Sequence, residues 1–242
     1  MATTKKTTTK TTKKTAKAKE TPTAQDIIGA YMEHVLEHGD HPITIYKFCK
    51  ANNFTEAEFY QHFGSFKNLK QGVWVAFHKH TIAILHKDKA FETYANKEKM
   101  LSYFYTLFEM FTANRSYVLF ALQEHKHMLK KLEQLKQLRT HVKQFATELI
   151  EAGNEQKNYK FTKNSVTIFS EGAWLQLLFL LNFWMEDNTA AFEKTDLAIE
   201  KSVTAIFDVF ETTPLESIID FGKFIFKDKF QAAGMNNAFA KN

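Results

Sequence analysis

Residues that interrupt helices are scarce along this chain, which has only 8 glycines and 3 prolines among 242 residues. A β-sandwich or a βαβ sheet needs many tight turns, and such turns rely on Gly and Pro. Apolar residues recur instead at helical spacing, as in Ile28, Tyr31, Met32 and Val35. The sequence therefore predicts an all-α fold. Its hydrophobic content of 44% suffices for one large helical domain or a small domain joined to a larger one.

Positive charge is concentrated at the start of the chain. Residues 1–24 hold seven lysines and one glutamate, whereas the whole chain has a net charge of only +5. A Thr/Lys-rich segment cannot bury apolar surface, so we expect residues 1–24 to form a disordered tail. Two interpretations stay open. The tail is either a mobile arm that adds salt-sensitive phosphate contacts or a solubilising leader.

Residues 23–80 predict two short helices between two longer ones. The first helix begins after Thr23, and Gly39 lies in the segment that ends it. An Asn52-Asn53 turn separates the short helices, because Asn tolerates left-handed backbone. Hydroxyl side chains precede the other helices as expected N-caps, and Glu58 has capping-box spacing from the second of these caps: Thr44, Thr55 and Ser65.

This region resembles the helix-turn-helix domain of TetR-type transcriptional regulators. Gly39 and Thr44 occupy two positions of the family pattern, and Tyr60-x-His62-Phe63 keeps its Tyr-x-His-Phe element. Ser65 and Leu69 keep the element that opens the fourth helix. The sequence departs from the pattern at three places: Phe48-Cys49 replaces Ile-Ala, Asn52-Asn53 replaces Ala-Gly, and Phe66 replaces a lysine.

The resemblance implies a homodimer that binds double-stranded DNA. Residues 25–80 would form the DNA-binding domain, and residues 81–242 a larger helical domain for dimerisation and for a small apolar ligand. By position, residues 55–61 would face bases, and the residues that would contact phosphates are Thr44, Tyr46, Tyr60, His62 and Lys67. The expected DNA-binding residues are Thr44, Tyr46, Thr55, Glu56, Glu58, Tyr60, Gln61, His62 and Lys67.

The acidic residues of the expected recognition helix leave a second hypothesis open. Glu56 and Glu58 would lie beside a phosphate backbone, and residues 25–90 contain seven lysines and seven acids. A domain without net positive charge lacks the electrostatic attraction that usually drives DNA binding. The alternative is a protein-interaction module whose degenerate helix-turn-helix no longer binds DNA. A Glu can accept a hydrogen bond from cytosine, and DNA binding is the favoured interpretation.

Helical periodicity continues over residues 97–113, 116–131, 134–152, 164–187, 191–211 and 215–231, with a polar loop at 153–163. The apolar run Ala173–Met185 has 13 residues, fewer than the ~20 of a membrane span, so we expect a buried helix and no integral membrane segment. The expected dimer interface is Trp174, Leu178, Leu181, Val203, Phe207 and Phe210. The expected ligand pocket is Phe104, Phe108, Phe111, Phe120 and Trp174.

Other classes of function find little support in the sequence. Because Cys49 is the single cysteine and no apolar leader opens the chain, we expect a cytoplasmic protein. No catalytic motif is present, so we expect neither an enzyme nor a cofactor. His34, His38 and His41 are interpreted as surface residues rather than metal ligands. The Phe/Lys-rich segment 215–231 could bind a membrane surface, although packing within the protein is the favoured interpretation.

Overall fold

The computed structural model describes residues 21–123, 132–155 and 165–212, and every regular element in these ranges is a helix. This confirms the predicted all-α fold. Residues 1–20 of the expected tail and the expected helix 215–231 lie outside the described residues. The α-helices are α1 Ala24–His38, α2 Ile45–Ala51, α3 Glu56–His62, α4 Phe66–Leu85, α5 Asn96–Ala113, α6 Arg115–Gln123, α7 Lys136–Glu155, α8 Val166–Glu186 and α9 Glu193–Thr212, with 3-10 turns at Lys89–Thr93 and Ala190–Phe192.

The first four helices begin at the predicted hydroxyl residues. Each hydroxyl accepts a hydrogen bond from the backbone N–H three residues later, which satisfies a donor that the helix leaves unpaired. The turns also follow the sequence, because Gly39 and Asn53 both adopt left-handed backbone, at φ 66° and 58°. The caps are Thr23, Thr44, Thr55 and Ser65.

An aromatic cluster holds the two seven-residue helices in place. Helices this short are unstable alone in water, so they depend on packing. Phe48 of α2 and Phe59 of α3 are buried, with ring centroids 6.2 Å apart and edge-to-face geometry. Phe66 stacks on Tyr31 and packs edge-on against both phenylalanines. Phe66 therefore supplies core packing at the position where the family pattern has a lysine.

Gly72 allows α4 to approach the end of α3 closely. A Cβ atom at position 72 would lie 2.7 Å from the Cε1 atom of Phe63, which is closer than side chains pack. Phe63 is largely buried and contacts the ring of Phe59. The aromatic residue that ends the Tyr-x-His-Phe element thus fits against the bare backbone of α4.

Helix α4 links the short helices to the rest of the molecule. It packs against α1 at one end and against α5 and α7 at the other, and one continuous buried cluster extends from α1 to α9. The expected boundary between residues 80 and 81 falls inside this unbroken helix. A shift of α4 would therefore displace residues on both sides of that boundary.

Helix α7 runs through Gly153 to Glu155, so the prediction that a loop begins at residue 153 is wrong. The Asn96 side-chain amide donates to the carbonyl of Leu149 at 2.8 Å. A Cβ atom on Gly153 would lie 2.5 Å from that amide nitrogen. Glycine therefore stays within the helix because Asn96 occupies the space that a side chain would take.

Helix α8 has 21 residues, more than the 13-residue apolar run predicted from the sequence. Among the described helices, α8 is long and apolar enough to cross a membrane, judged by length and composition alone. In its most apolar 18-residue stretch, 44% is buried. It packs against α7 and α9. At the carboxyl end of α8, the Arg115 guanidinium lies over the Trp184 ring and donates a hydrogen bond to the Trp184 carbonyl.

Candidate nucleic-acid interface

Helices α2 and α3 contact each other and bury their aromatic sides, so their polar sides face solvent. Two tyrosines are among the most exposed large side chains there. Tyr46 on α2 is 58% exposed, and Tyr60 on α3 is 52% exposed. This arrangement is that of a helix-turn-helix, in which the second short helix presents its outer side to a DNA groove.

Two residues of the expected base-contacting set stabilise α3 itself. The Glu58 carboxylate accepts from the Thr55 backbone N–H at 2.6 Å and from its hydroxyl at 2.8 Å. In return, the Glu58 N–H donates to the Thr55 hydroxyl at 3.1 Å. Because this capping box occupies both side chains, Glu56 is the acidic residue of α3 that faces solvent without that role.

His62 positions the segment that enters α1. Its Nε2 donates to the carbonyl of Pro22 at 3.0 Å, across 40 residues of sequence. Pro22 itself is buried. The lysine-rich residues 1–20 therefore join the described structure beside the last turn of α3.

Lys67, expected at a phosphate, is held by the carboxy-terminal part of the chain. Its Nζ contacts Glu133 Oε1 at 2.5 Å, and both side chains are more than half exposed. One turn further along α4, the Gln71 amide donates to the Glu133 carbonyl at 3.0 Å and accepts from Gln137. The start of α4 is thus hydrogen-bonded to the segment that precedes α7 and to α7 itself.

Sequence analysis missed two exposed cations beside the expected set. Lys47 and Lys50 lie three residues apart on α2, opposite buried Phe48 and Cys49. The Lys50 ammonium is 6.0 Å from the ring centroid of Tyr46. Because Phe48 and Cys49 were expected on the inner side of α2, helical spacing could have placed the two lysines on its outer side. Thr44 caps α2, and Gln61 is exposed on α3.

Four of the five residues expected to line a ligand pocket lie in the buried core. Phe104, Phe108, Phe111 and Trp174 are each at most 5% exposed. Phe108 and Phe111 pack edge-on against each other, at 5.4 Å between centroids. Phe120 is half-buried and contacts the ring of His41. None of the five lines the cavity that contains His78.

That cavity, of about 370 Å³, lies between α4, the 3-10 turn Lys89–Thr93, the start of α5, and α7. Its lining is more polar than the predicted pocket. His78 and His141 stack inside it with ring centroids 5.1 Å apart. Burial, with the charge of neighbouring groups as a smaller cause, lowers the pKa of His78 to about 4. Both burial and the Lys79 ammonium lower the pKa of His141.

Most of the expected dimer-interface residues are buried within the protomer. Trp174, Leu181, Val203 and Phe207 are at most 8% exposed, and Leu178 is half-buried. The side chain of Phe210 lies outside the described residues. A different side of α8 and α9 carries exposed apolar groups: Leu175 at 42%, Phe179 at 55%, Leu197 at 47% and Val209 at 42%.

The histidines of the amino-terminal part pack against one another and against the backbone. The rings of His34 and His38 stack at 4.2 Å, and His38 Nδ1 donates to the His34 carbonyl. His41 lies between Tyr31 and Lys70, 2.8 Å from each. Across the described ranges, no group of three or more His, Cys, Asp or Glu side chains is arranged to hold a metal ion.

Comparison with known proteins identifies the carboxy-terminal part. The family model described as "Tetracyclin repressor-like, C-terminal domain" matches residues 99–225, more than half of the chain. No curated protein and no solved structure gave a match. The matched residues include most of α5 and all of α6 to α9, which follow the four helices whose motifs resemble the TetR DNA-binding domain. The chain therefore belongs to the tetracyclin repressor-like, or TetR, family.

Proposed function

We propose that this TetR-family regulator is a cytoplasmic homodimer that binds double-stranded DNA through α2 and α3 and releases it when a small molecule binds the carboxy-terminal domain. The observation that carries the proposal is the solvent-facing side of a capped helix-turn-helix, joined to a carboxy-terminal domain that matches the TetR family. Residues 25–80 would form the DNA-binding domain and residues 81–242 the dimerisation and effector domain. Neither role requires a catalytic centre or a cofactor.

The exposed side chains suggest how the DNA contacts are divided. Glu56, Tyr60 and Gln61 lie on the outer side of α3, where they would meet base edges or the nearest phosphates. Tyr46 and Lys50 of α2 would contact the phosphate backbone. Thr44, Thr55, Glu58 and His62 would act mainly by fixing the helices and the entering segment. Lys67 would reach a phosphate only after leaving Glu133.

Exposed apolar residues on α8 and α9 support a dimer. Leu175 and Phe179 are one helical turn apart on the side of α8 that faces away from the protomer core. Exposed apolar groups on two contacting helices are typical of a surface that is buried in an assembly. Pairing α8 and α9 with those of a second copy would cover these side chains and hold two recognition helices at a fixed spacing.

Helix α4 offers a route for coupling between the two domains. It carries Lys67 near the DNA-facing end and His78 in the cavity, three turns further along. A ligand that moved the end of α4 would change the spacing of the two recognition helices. Half-sites one turn apart require about 34–36 Å, so a small rotation would weaken binding.

Selection of DNA from a pool of random duplexes tests the proposal. Purified full-length protein should enrich a palindromic motif at moderate salt. Gln61→Ala and Glu56→Ala should each change the enriched bases, whereas Gln25→Ala, a matched change at an exposed glutamine of α1, should not. Removal of residues 1–20, which hold seven lysines, should lower the salt dependence of binding.

The zero net charge of residues 25–90 and the exposed Glu56 favour a second candidate, a protein-interaction module. In that case the same selection would recover no motif. Weak salt-sensitive binding would remain, and it would disappear when residues 1–20 are removed. Such a result would reject DNA recognition and direct the search to protein partners of α3.

A further inference from the structure

The cavity between α4, α5 and α7 contains a hydrogen-bonding group whose protonation the structure fixes. His78 is only 7% exposed, and its Nδ1 lies 2.9 Å from the hydroxyl of Tyr103, which is fully buried. No other described residue accepts from that hydroxyl. If Nδ1 carried the proton, the Tyr103 O–H would be buried without an acceptor, which is costly. Tyr103 therefore donates to Nδ1, and neutral His78 carries its proton on Nε2.

The Nε2–H group is left for an occupant of the cavity. His78 lines the cavity, and Nε2 hydrogen-bonds no residue in the described part of the chain. The same holds for both ring nitrogens of His141, which stacks on His78. Burial disfavours the charged form of both imidazoles, so they offer directed hydrogen bonds rather than a full charge.

The charged groups that line the cavity already contact other residues of the protein. Glu92 lies 2.8 Å from Nδ1 of His86, and Glu148 accepts from the Gln144 amide at 3.0 Å. The Lys99 ammonium lies 5.9 Å from the ring centroid of Phe91. One ammonium therefore stands against two carboxylates that already have partners. An ionic ligand would therefore have to compete with these existing contacts for a charged partner.

The remaining walls are apolar and include a flat face. Ile82, Phe91 and Leu149 line the cavity together with Phe145, whose ring stacks on Tyr103 at 4.4 Å. A volume of about 370 Å³ is at the small end of the ~300–1,000 Å³ of known ligand pockets. A compact molecule with a flat apolar body would fill this space and displace water from it.

From this arrangement we infer that the cavity binds a small, uncharged molecule with a flat apolar body and a carbonyl-type oxygen that accepts a hydrogen bond from His78 Nε2. The class differs from the wholly apolar ligand expected from the sequence, because the site uses His78 and His141 in place of the buried phenylalanines. Its regulatory meaning rests on the proposed function, in which this molecule is the effector. The binding itself does not depend on DNA.

Four probes with the same ring and different head groups test the inference. Acetophenone carries a neutral carbonyl, benzoate an anion, benzylammonium a cation, and ethylbenzene no hydrogen-bonding group. Binding to the full-length protein is measured without DNA, by ligand-observed NMR titration. We expect acetophenone to bind at least tenfold more tightly than the other three. Equal binding of ethylbenzene, tighter binding of either ion, or no binding of any probe would overturn the inference.

Variants separate the hydrogen bond from the fold. His78→Phe should reduce acetophenone binding to the level of ethylbenzene, and the matched control His80→Phe, at an exposed histidine of the same helix, should bind as the parent protein does. Tyr103→Phe provides a second variant, because loss of its hydroxyl frees the proton to move to Nδ1. It should weaken acetophenone several-fold and leave ethylbenzene unchanged. Unaltered acetophenone binding in a folded His78→Phe or Tyr103→Phe protein would contradict the role of Nε2.

The result is distinguishable from a failure of the proposed function. A protein that binds acetophenone through His78 but selects no DNA would keep the cavity inference and reject the regulator. A protein that selects DNA and binds none of the four probes would keep the regulator proposal and reject the cavity inference. If both hold, acetophenone at saturating concentration should weaken binding to the selected duplex in the parent protein and not in His78→Phe.

Discussion

The amino-terminal and the carboxy-terminal helices differ in how far apart in sequence their hydrogen-bonded side chains lie. In α1 to α4, the capping hydroxyls bond to residues three positions away, as Thr55 does with Glu58. In α5 to α9, polar side chains bond across large separations. Arg115 reaches the Trp184 carbonyl 69 residues away, and Arg139 and Lys143 both contact Glu171. Local sequence therefore specifies where the first four helices begin, whereas the packing of the later helices also depends on these distant partners.

The two regions also differ in what they leave exposed. The outer sides of α2 and α3 carry polar residues and tyrosines, several of which already hydrogen-bond within the protein. The outer side of α8 carries Leu175 and Phe179, which contribute apolar area and no hydrogen bond. Under the proposed function, the amino-terminal surface would provide DNA specificity and the α8 surface would provide the free energy of dimer assembly. Four predictions test it, and each concerns one of these regions.

The largest effect is expected at the apolar surface of α8. Phe179→Glu would place a carboxylate where the proposed dimer excludes water, which is unfavourable without a partner charge. We expect the dimer dissociation constant to rise by roughly 100-fold, or about 3 kcal/mol. Sedimentation velocity over a concentration series measures the change. DNA affinity should fall in parallel, because half-sites would be bound one at a time.

A leucine pair provides the control for this surface. Leu175→Glu should weaken the dimer as Phe179→Glu does, whereas Leu36→Glu on α1, at a leucine of similar exposure, should leave the dimer intact. A dimer that survives both α8 substitutions would place the interface elsewhere and remove the contrast between the two surfaces.

The second effect concerns pH and the buried imidazole of the carboxy-terminal part. The pKa of His78 is about 4 in the folded state, against an ordinary value of 6.5. Between these values the unfolded chain binds more protons, so stability falls as the pH is lowered from 6.5 to 4. His141 and Lys79 face His78 and act in the same direction. At 1.36 kcal/mol per pKa unit, the pKa shift of His78 accounts for a loss of at most about 3 kcal/mol in the free energy of unfolding.

Urea unfolding at a series of pH values measures this loss. His78→Gln should flatten the fall in unfolding free energy between pH 6.5 and 4, while the exposed control His80→Gln should not. An unchanged pH profile in His78→Gln would show that other groups account for the acid sensitivity.

The third effect concerns the local caps of the amino-terminal part. Thr55→Ala removes the hydroxyl that receives the Glu58 N–H and leaves the carboxylate with one donor fewer. We expect a loss of about 1 kcal/mol in unfolding free energy, and faster hydrogen exchange confined to α3. Thr55→Ser keeps the hydroxyl and should behave nearly as the parent protein. Faster exchange spread evenly over α5 to α9 would argue against a local role.

The smallest effect is expected at the ion pair that joins the two regions. Glu133→Gln releases Lys67 for a phosphate, so affinity for the selected duplex should rise two- to fourfold, since exposed ion pairs contribute about 0–1 kcal/mol. Fluorescence anisotropy at low salt measures the gain, and added salt should reduce it. Glu151→Gln, at an exposed glutamate of α7, is the matched control. A decrease in affinity would show that Glu133 positions Lys67 for DNA rather than withholding it.

Much of the amino-terminal fold was predictable because its signals are local. Thr44, Thr55 and Ser65 precede their helices in sequence and cap them as predicted, and Thr23, after which the first helix was expected to begin, is also a cap. The buried face of α2 at Phe48 and Cys49 also follows from helical spacing. The roles of His62 and Lys67 were not predictable, because their partners Pro22 and Glu133 are 40 and 66 residues away.

The carboxy-terminal site was harder to predict because its helices are apolar on most sides. In α8, spacing alone does not tell which aromatic residue faces the core: Trp174, expected at an interface, is 5% exposed, whereas Phe179 is 55% exposed. The cavity draws His78, Lys99 and His141 from three helices far apart in sequence. Periodicity correctly located these helices but contains no information on which polar residues meet between them.

The close approach of Gly72 to Phe63 sets a rule for how this chain can vary. Any residue larger than glycine at position 72 would meet the Phe63 ring, so the two positions are expected to change together in related sequences. A Gly72→Ala substitution should be tolerated only beside a smaller residue at position 63, such as Leu. In a double-mutant cycle the two changes would be strongly non-additive. This pair therefore predicts covariation between the residue that ends α3 and the first half of α4.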